Sequence, residues 1–326
     1  MKMFQQYGSM LFGDRVNELA ETAQFVDISN VAHWFYEDTE KDLFDIRDDF
    51  PSIVSPWPLT WMEYRFPRTM RIGNEVRSTG AAGGIYIGAL LLSIPLKDGR
   101  DALEQDVALE FCRIGFAASG KQMPKTPSGL EHDMSDRREA LNNMLAADEL
   151  PRWMLQATIM QEISGRKALP VSLTSLYLDE NGRAFQRGII DIAMPMVISG
   201  NMTYDTGFAV FAFALSLMHC KNVNLEDIPV PPKIQAKREK RGVPTVTFKT
   251  LVVEPMRQQV RREAAEDPAG EQNHIKRAMH IARGHFKDYR NGPGLFGKYQ
   301  GLYWWDMHVR GSAEVGTVVK DYKVKV

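Results

Sequence analysis

The segment from Val171 to Ile192 reads VSLTSLYLDENGRAFQRGIIDI. Two apolar runs, Val171–Leu178 and Phe185–Ile192, flank Asp179-Glu180-Asn181-Gly182. Asn-Gly between apolar runs is the strongest short-range hairpin signal, because both residues accept the positive φ that hairpin turns demand. An antiparallel sheet in the middle of the chain is therefore expected. Trp153–Ile163 reads as a further strand, and IYIGALLLSI from Ile85 to Ile94 as a buried one. The glycine run before it, Gly80–Gly84, lacks both G-x-x-x-x-G-K-[ST] and G-x-G-x-x-G, so it reads as a tight turn or bulge rather than a phosphate cradle. Phe208–Met218 is apolar all round and reads as a helix buried against the sheet. His219 and Cys220 at its end would form a metal site only if other ligands arrived, and no spacing brings them. The expected fold class is α+β: a central antiparallel sheet with helices packed on one face, plus a small basic C-terminal strand–helix–hairpin module.

Outside this centre the patterns are weaker. Phe4, Leu11, Phe12, Val16, Leu19 and Phe25 follow an approximate helical period. His33 sits among Trp34, Phe35 and Tyr36 and reads as a packed group, ahead of an acidic run from Glu37 to Asp49. Pro51, Pro56, Pro58 and Pro67 suggest an extended connection through Trp57 and Trp61. Asp106–Phe111 fits helix or strand, and Ser135–Leu145 favours helix. Ile228–Val243, IPVPPKIQAKREKRGV, combines three prolines with five basic residues and reads as an exposed connector. The expected domains are thus a 1–228 α+β body, a 229–243 Pro/basic connector and a 244–326 basic C-terminal module. In that module Val246–Val253 reads as a strand and Pro255–Glu266 as a polar helix or loop.

The chain has 326 residues, 44 % of them hydrophobic, which excludes wholesale disorder. Its two cysteines, Cys112 and Cys220, read as small buried hydrophobes of a reducing compartment. The N-terminus lacks a signal-peptide core, and the longest apolar runs are shorter than the roughly 20 residues of a spanning helix. These features point to the cytoplasm of the host cell and to no membrane partner. The net charge of −1 hides an asymmetry: Pro231–Val326 holds 19 basic and 10 acidic residues, the remainder 21 and 31. Either the tail meets something acidic, or the two halves attract each other.

The tail concentrates the unusual chemistry. Glu271–Gly311 holds four of seven histidines (His274, His280, His285, His308), two of six tryptophans (Trp304, Trp305) and a threading of Lys and Arg. Basic groups between flat rings suit phosphate neutralisation and base stacking, and equally the gripping of an extended peptide. Glu271–Arg283 reads as a helix, acidic at its start and basic at its end, with Gly284 just past it. Phe286–Arg290 reads as a short strand, followed by a glycine-rich loop and a strand from Leu302 to Val309. Alternation in that strand assigns Tyr303, Trp305, Met307 and Val309 to a core face, and Trp304, Asp306, His308 and Arg310 to a working face. The candidate binding residues are Lys276, Arg277, His280, Arg283, His285, Phe286, Trp304, His308 and Arg310. His280 and His285 are five apart, which at about 100° per residue separates them around a helix. H-E-x-x-H is absent, so neither metal nor cofactor is expected. His285, His308 and Arg283 are the right types for metal-independent RNA cleavage through a 2′-hydroxyl. The same histidines could instead donate to backbone carbonyls and lock a helix–strand corner.

The run Lys276-Arg277…His280-Ile281-Ala282-Arg283-Gly284-His285-Phe286, then a glycine-bearing loop and an aromatic pair, resembles the C-terminal signature of the type V-A anti-CRISPR family. The resemblance is to the member that lowers the level of the effector nuclease's messenger. That pattern is basic-basic-Pro-His-Ile-Arg-Arg-Gly-His-Trp, followed by a Gly-containing turn and a Trp-bearing strand. Here Ala278-Met279 stands at the proline, Ala282 at the first arginine and Phe286 at the tryptophan. The ending from His308-Val309-Arg310-Gly311 to Lys320-Asp321-Tyr322 is similar to tails of phage and plasmid proteins of the same broad group. The resemblance covers roughly the last 80 residues. It implies a mobile-element protein that recognises the nascent N-terminal peptide of a target protein and triggers loss of its mRNA, without implying the same target.

Three function classes follow. The first is an anti-CRISPR-like regulatory protein whose partners are a nascent target polypeptide and RNA or the ribosome. The second is a ribonuclease or toxin using the tail histidines, and the third a phage structural or interaction protein. Oligomeric state is left open.

Overall fold

The computed structural model describes residues 3–37, 50–65, 69–72, 75–78, 86–96, 151–163, 167–193, 205–242, 244–254, 278–282, 285–295, 297–305, 308–310 and 312–317. The readings of Asp106–Phe111, Ser135–Leu145 and Pro255–Glu266 lie outside them. The chain divides into two units, Met1–Met218 with Leu225–Leu251, and His219–Asn224 with Val252–Val326.

The first unit is built on an eight-stranded sheet. In chain order its strands are β1 (Gln24–Asp27), β2 (Leu59–Arg65), β5 (Tyr86–Pro95), β6 (Trp153–Ile163), β7 (Lys167–Leu178), β8 (Ala184–Ala193), β9 (Val223–Ile228) and β10 (Phe248–Val253). A separate two-stranded ribbon pairs β3 (Thr69–Ile72) with β4 (Glu75–Ser78). The order across the large sheet is β8-β7-β6-β5-β2-β1-β10-β9. From β8 to β2 every pairing is antiparallel, as the central hairpin requires. β1 is parallel to both β2 and β10, so the sheet as a whole is mixed. The class is α+β.

The β7–β8 turn is a three-residue loop. Asp179 and Arg183 close it, the Asp179 side chain accepts from Asn181 N–H at 2.8 Å and Arg183 N–H at 2.9 Å, and Gly182 takes φ +81°. A type I turn followed by a left-handed glycine is the usual form of such loops, and only glycine enters that region without strain.

Helices cover both faces of the sheet, where one covered face was expected. On the first face lie α1 (Met3–Phe12) and α2 (Val16–Thr22), with Phe4, Phe12, Phe25, Trp61, Met154, Met160, Tyr177 and Phe248 in one buried cluster. The opposite face receives α3 (Ser29–Glu37) and the apolar α4 (Asp205–Met218), whose Phe211 lies 5.4 Å from Tyr64 and whose Phe213 lies 5.8 Å from Phe35. The Glu63 carboxylate, buried on β2, accepts from Met3 N–H at 2.9 Å, Phe4 N–H at 3.0 Å and the Trp61 indole at 2.8 Å. A distant side chain thus satisfies donors that a helix start leaves open. His33 on α3 is exposed rather than buried in the core.

Within Ile228–Val243, Pro232–Glu239 forms helix α5. Proline at the first helical position costs no hydrogen bond there and presets φ, so prolines followed by Lys, Gln, Ala and Arg start a helix as readily as a linker. This segment groups with the first unit, and the division runs through β9 and β10 instead. Among the described residues no helix is long and apolar enough to cross a membrane.

Candidate nucleic-acid interface

The second unit contains a hairpin of β12 (His285–Asp288) and β13 (Leu302–Trp305), and a three-stranded sheet in the order β14 (His308–Arg310), β11 (Ala278–Ala282), β15 (Ser312–Thr317). The helix expected over 271–283 is therefore corrected over its described part: Ala278–Ala282 is a strand. Met279 and Ile281 alternate with His280 in a run too short to separate the two periods, and pairing with β14 decides for the strand. The strand expected from Leu302 to Val309 is likewise two strands, each in a different sheet.

The β12–β13 register opposes His285 to Trp305, Phe286 to Trp304, Lys287 to Tyr303 and Asp288 to Leu302. Opposed residues share a face of an antiparallel pair, so His285, Lys287, Tyr303 and Trp305 lie on one side and Phe286, Asp288, Leu302 and Trp304 on the other. Leu302 and Trp304 are buried, and the Phe286 ring meets Trp304 edge-on at 4.7 Å and 62°. This corrects the expected split at the tryptophans: Trp304, at 2 % exposure, is core and Trp305 is half-buried, while Tyr303, expected in the core, is buried.

Asn222 fixes this arrangement. Its Oδ1 accepts from Trp304 N–H at 3.0 Å, and its Nδ2 donates to the Trp304 carbonyl at 2.9 Å and the Glu254 carbonyl at 3.0 Å. The side chain thereby pairs with β13 as a neighbouring strand would, and Lys221 N–H adds a bond to Leu302 O at 2.8 Å.

On the other side, His285, Lys287 and Trp305 are half-buried together, with Lys287 Nζ 5.6 Å from the centre of the Trp305 ring. A cation over an indole at that distance is a favourable cation–π contact. Tyr303 is buried and flanked by Tyr289 at 6.3 Å and Tyr299 at 6.2 Å, both half-buried. Burial raises the Tyr303 phenol pKa above its ordinary value, so it stays neutral near pH 7. The loop between the strands turns on Gly294, at φ +80°, where a Cβ would come within 2.8 Å of the Tyr299 carbonyl oxygen. That tight approach holds Tyr299 beside the row. Apart from buried Tyr303, the row holds half-buried rings, an ammonium and an imidazole around one hairpin, groups of the kind that stack bases and neutralise phosphates of a single strand.

The candidate residues divide as follows. His285 and Phe286 are on β12, on opposite faces. His280 and Arg310 are register partners on β11 and β14, and His308 is the partner of Ala282. His285 and His308 thus belong to different sheets. Lys276, Arg277 and Arg283 lie outside the described residues, as does Gly284. Arg290 is engaged by Asp288, with Nη2–Oδ2 at 2.7 Å. The candidate binding residues read from the sequence omit Lys287, Trp305, Tyr289 and Tyr299, all half-buried. Pairing Phe286 with Trp304 before assigning faces would have found the first two. Comparison with protein-family models, with curated proteins and with solved structures finds no match for the chain.

Proposed function

We propose that this protein is a regulatory protein of a mobile genetic element, acting in the cytoplasm of the host cell. It recognises the N-terminal segment of a nascent target polypeptide and promotes loss of the messenger being translated, with its tail on RNA or the translation machinery. The resemblance of the Lys276–Phe286 run to the type V-A anti-CRISPR signature supports the first part. The observation that carries the RNA contact is Lys287 held over Trp305, both half-buried, on the same side of the hairpin as His285. Stacking on such rings is sequence-tolerant, which suits a protein whose specificity comes from the peptide.

Tagged, intact protein recovered from translating host cells tests this reading. Enrichment of ribosomes or of one nascent-chain species is expected, and enrichment of neither contradicts it. Purified protein with labelled RNA and no added metal should bind and leave the RNA intact. Turnover abolished by His285→Ala and His308→Ala would move the assignment to a ribonuclease.

A further inference from the structure

Among the described residues of the first unit, helix α5 is a strongly charged, exposed feature. Residues 232–241 read PKIQAKREKR, five basic and one acidic. At about 100° per residue, Lys233, Lys237 and Lys240 fall within an arc of roughly 60°, spaced about 6 and 4.5 Å along the axis. Lys240 caps the helix in right-handed helical conformation, which continues the row. Arg241 follows in the turn. All four are exposed, and among the described residues none has a hydrogen-bond or ion-pair partner for its side chain. Other surface cations do find carboxylates, as Lys249 does with Asp227 at 2.6 Å. The one acidic residue of the helix, Glu239, accepts from Gln235 Nε2 at 3.2 Å, which draws it around the helix away from the lysines.

Two more observations mark the helix. Ile234 is 46 % exposed beside the lysine row. Arg238 is 8 % exposed, and its Nη1 has no acceptor among the described residues. A buried N–H without an acceptor is costly, and an anionic oxygen is one group that would satisfy it.

We propose that α5 is a second nucleic-acid contact, in which Lys233, Lys237 and Lys240 track the phosphates of a single-stranded RNA. The choice of RNA over an acidic protein rests on composition. Protein–protein interface cores are depleted of lysine and built on apolar anchors, and α5 offers one isoleucine among four cations. A phosphate backbone is a uniform row of charges met by such cations without an apolar core. This contact lies in the first unit and stands independently of the hairpin reading.

The test is a salt titration of a fluorescent single-stranded oligouridine on the full chain, comparing wild type with Lys233→Ala/Lys237→Ala/Lys240→Ala and, separately, Trp305→Ala. Each lost phosphate contact on a single strand removes about 0.7 from the log–log slope, so the triple variant should be flatter by roughly 2 and bind about 100-fold more weakly at 0.1 M salt. The Trp305→Ala arm reports the hairpin alone, so failure of one site is distinguishable from failure of the other. Circular dichroism and thermal melting of the triple variant should match wild type, since all three side chains are exposed. Arg238→Met should lose affinity with no loss of thermal stability. An unchanged slope in the triple variant overturns the proposal, and so does equal competition by a polyglutamate peptide, which would reassign the helix to an acidic protein.

Discussion

Asn222 holds the Trp304 peptide from both ends, accepting from its N–H at 3.0 Å and donating to its carbonyl at 2.9 Å. One buried amide therefore decides which indole of the Trp304-Trp305 pair enters the core. With Trp304 pinned against Phe286, alternation along β13 leaves Trp305 on the other side with Lys287 and His285.

Asn222→Ala removes three hydrogen bonds and leaves buried backbone groups of Trp304 without partners. Each orphaned group costs about 1–3 kcal/mol, so a loss of about 3 kcal/mol or more in denaturant unfolding is expected. Asn222→Asp keeps an acceptor for Trp304 N–H but loses the donor, and should fall between wild type and the alanine variant. Equal stability of all three would remove the role assigned to this amide.

The start of α1 depends on Glu63 and on the space above Gly88. Glu63→Gln exchanges one acceptor oxygen for a donor facing N–H groups, and a loss of about 1–3 kcal/mol is expected. At Gly88 an added Cβ would lie 2.7 Å from Trp61 Cζ2 and 2.9 Å from Met3 Sδ. Gly88→Ala should cost about 1–3 kcal/mol by overpacking. Hydrogen exchange should show early opening of Met3–Phe12 in both variants, and protection equal to wild type would contradict the capping role.

Cys220 is buried, and burial alone pushes its thiol pKa well above the ordinary value. The thiolate is the reactive form, so the folded protein at pH 8 should resist alkylation at this residue, and reaction should appear only on unfolding. Peptide mapping after iodoacetamide treatment reads this directly. Prompt modification of Cys220 in the native protein would contradict the burial.

The sequence was most legible where one physical signal dominated. Apolar alternation around Asn181-Gly182 predicts the central hairpin, and the all-apolar Phe208–Met218 predicts α4. β2 was not legible, because Glu63 interrupts LTWMEYR and prolines surround it. The N–H groups of Met3, Phe4 and Trp61 converge on the carboxylate there, from 59 and 60 residues away and from two. The parallel placement of β1 between β2 and β10 is likewise a long-range choice with no local mark. In the tail, alternation correctly separated Trp304 from Trp305, but only cross-strand pairing and Asn222 reveal which of them is inside.

RNA contact through Lys287 and Trp305 is the central claim, and RNA affinity of the full chain across salt for Trp305→Ala, Lys287→Ala and Trp304→Ala tests it most directly. Trp305→Ala should weaken single-stranded RNA binding by about 1–3 kcal/mol with the slope unchanged, because stacking releases no ions. Lys287→Ala should flatten the slope by somewhat under one unit. Trp304→Ala should instead destabilise the fold by about 3–5 kcal/mol, as removal of a buried indole does. Wild-type binding that does not vary with salt, or RNA affinity indifferent to Trp305→Ala in a folded protein, would contradict the account.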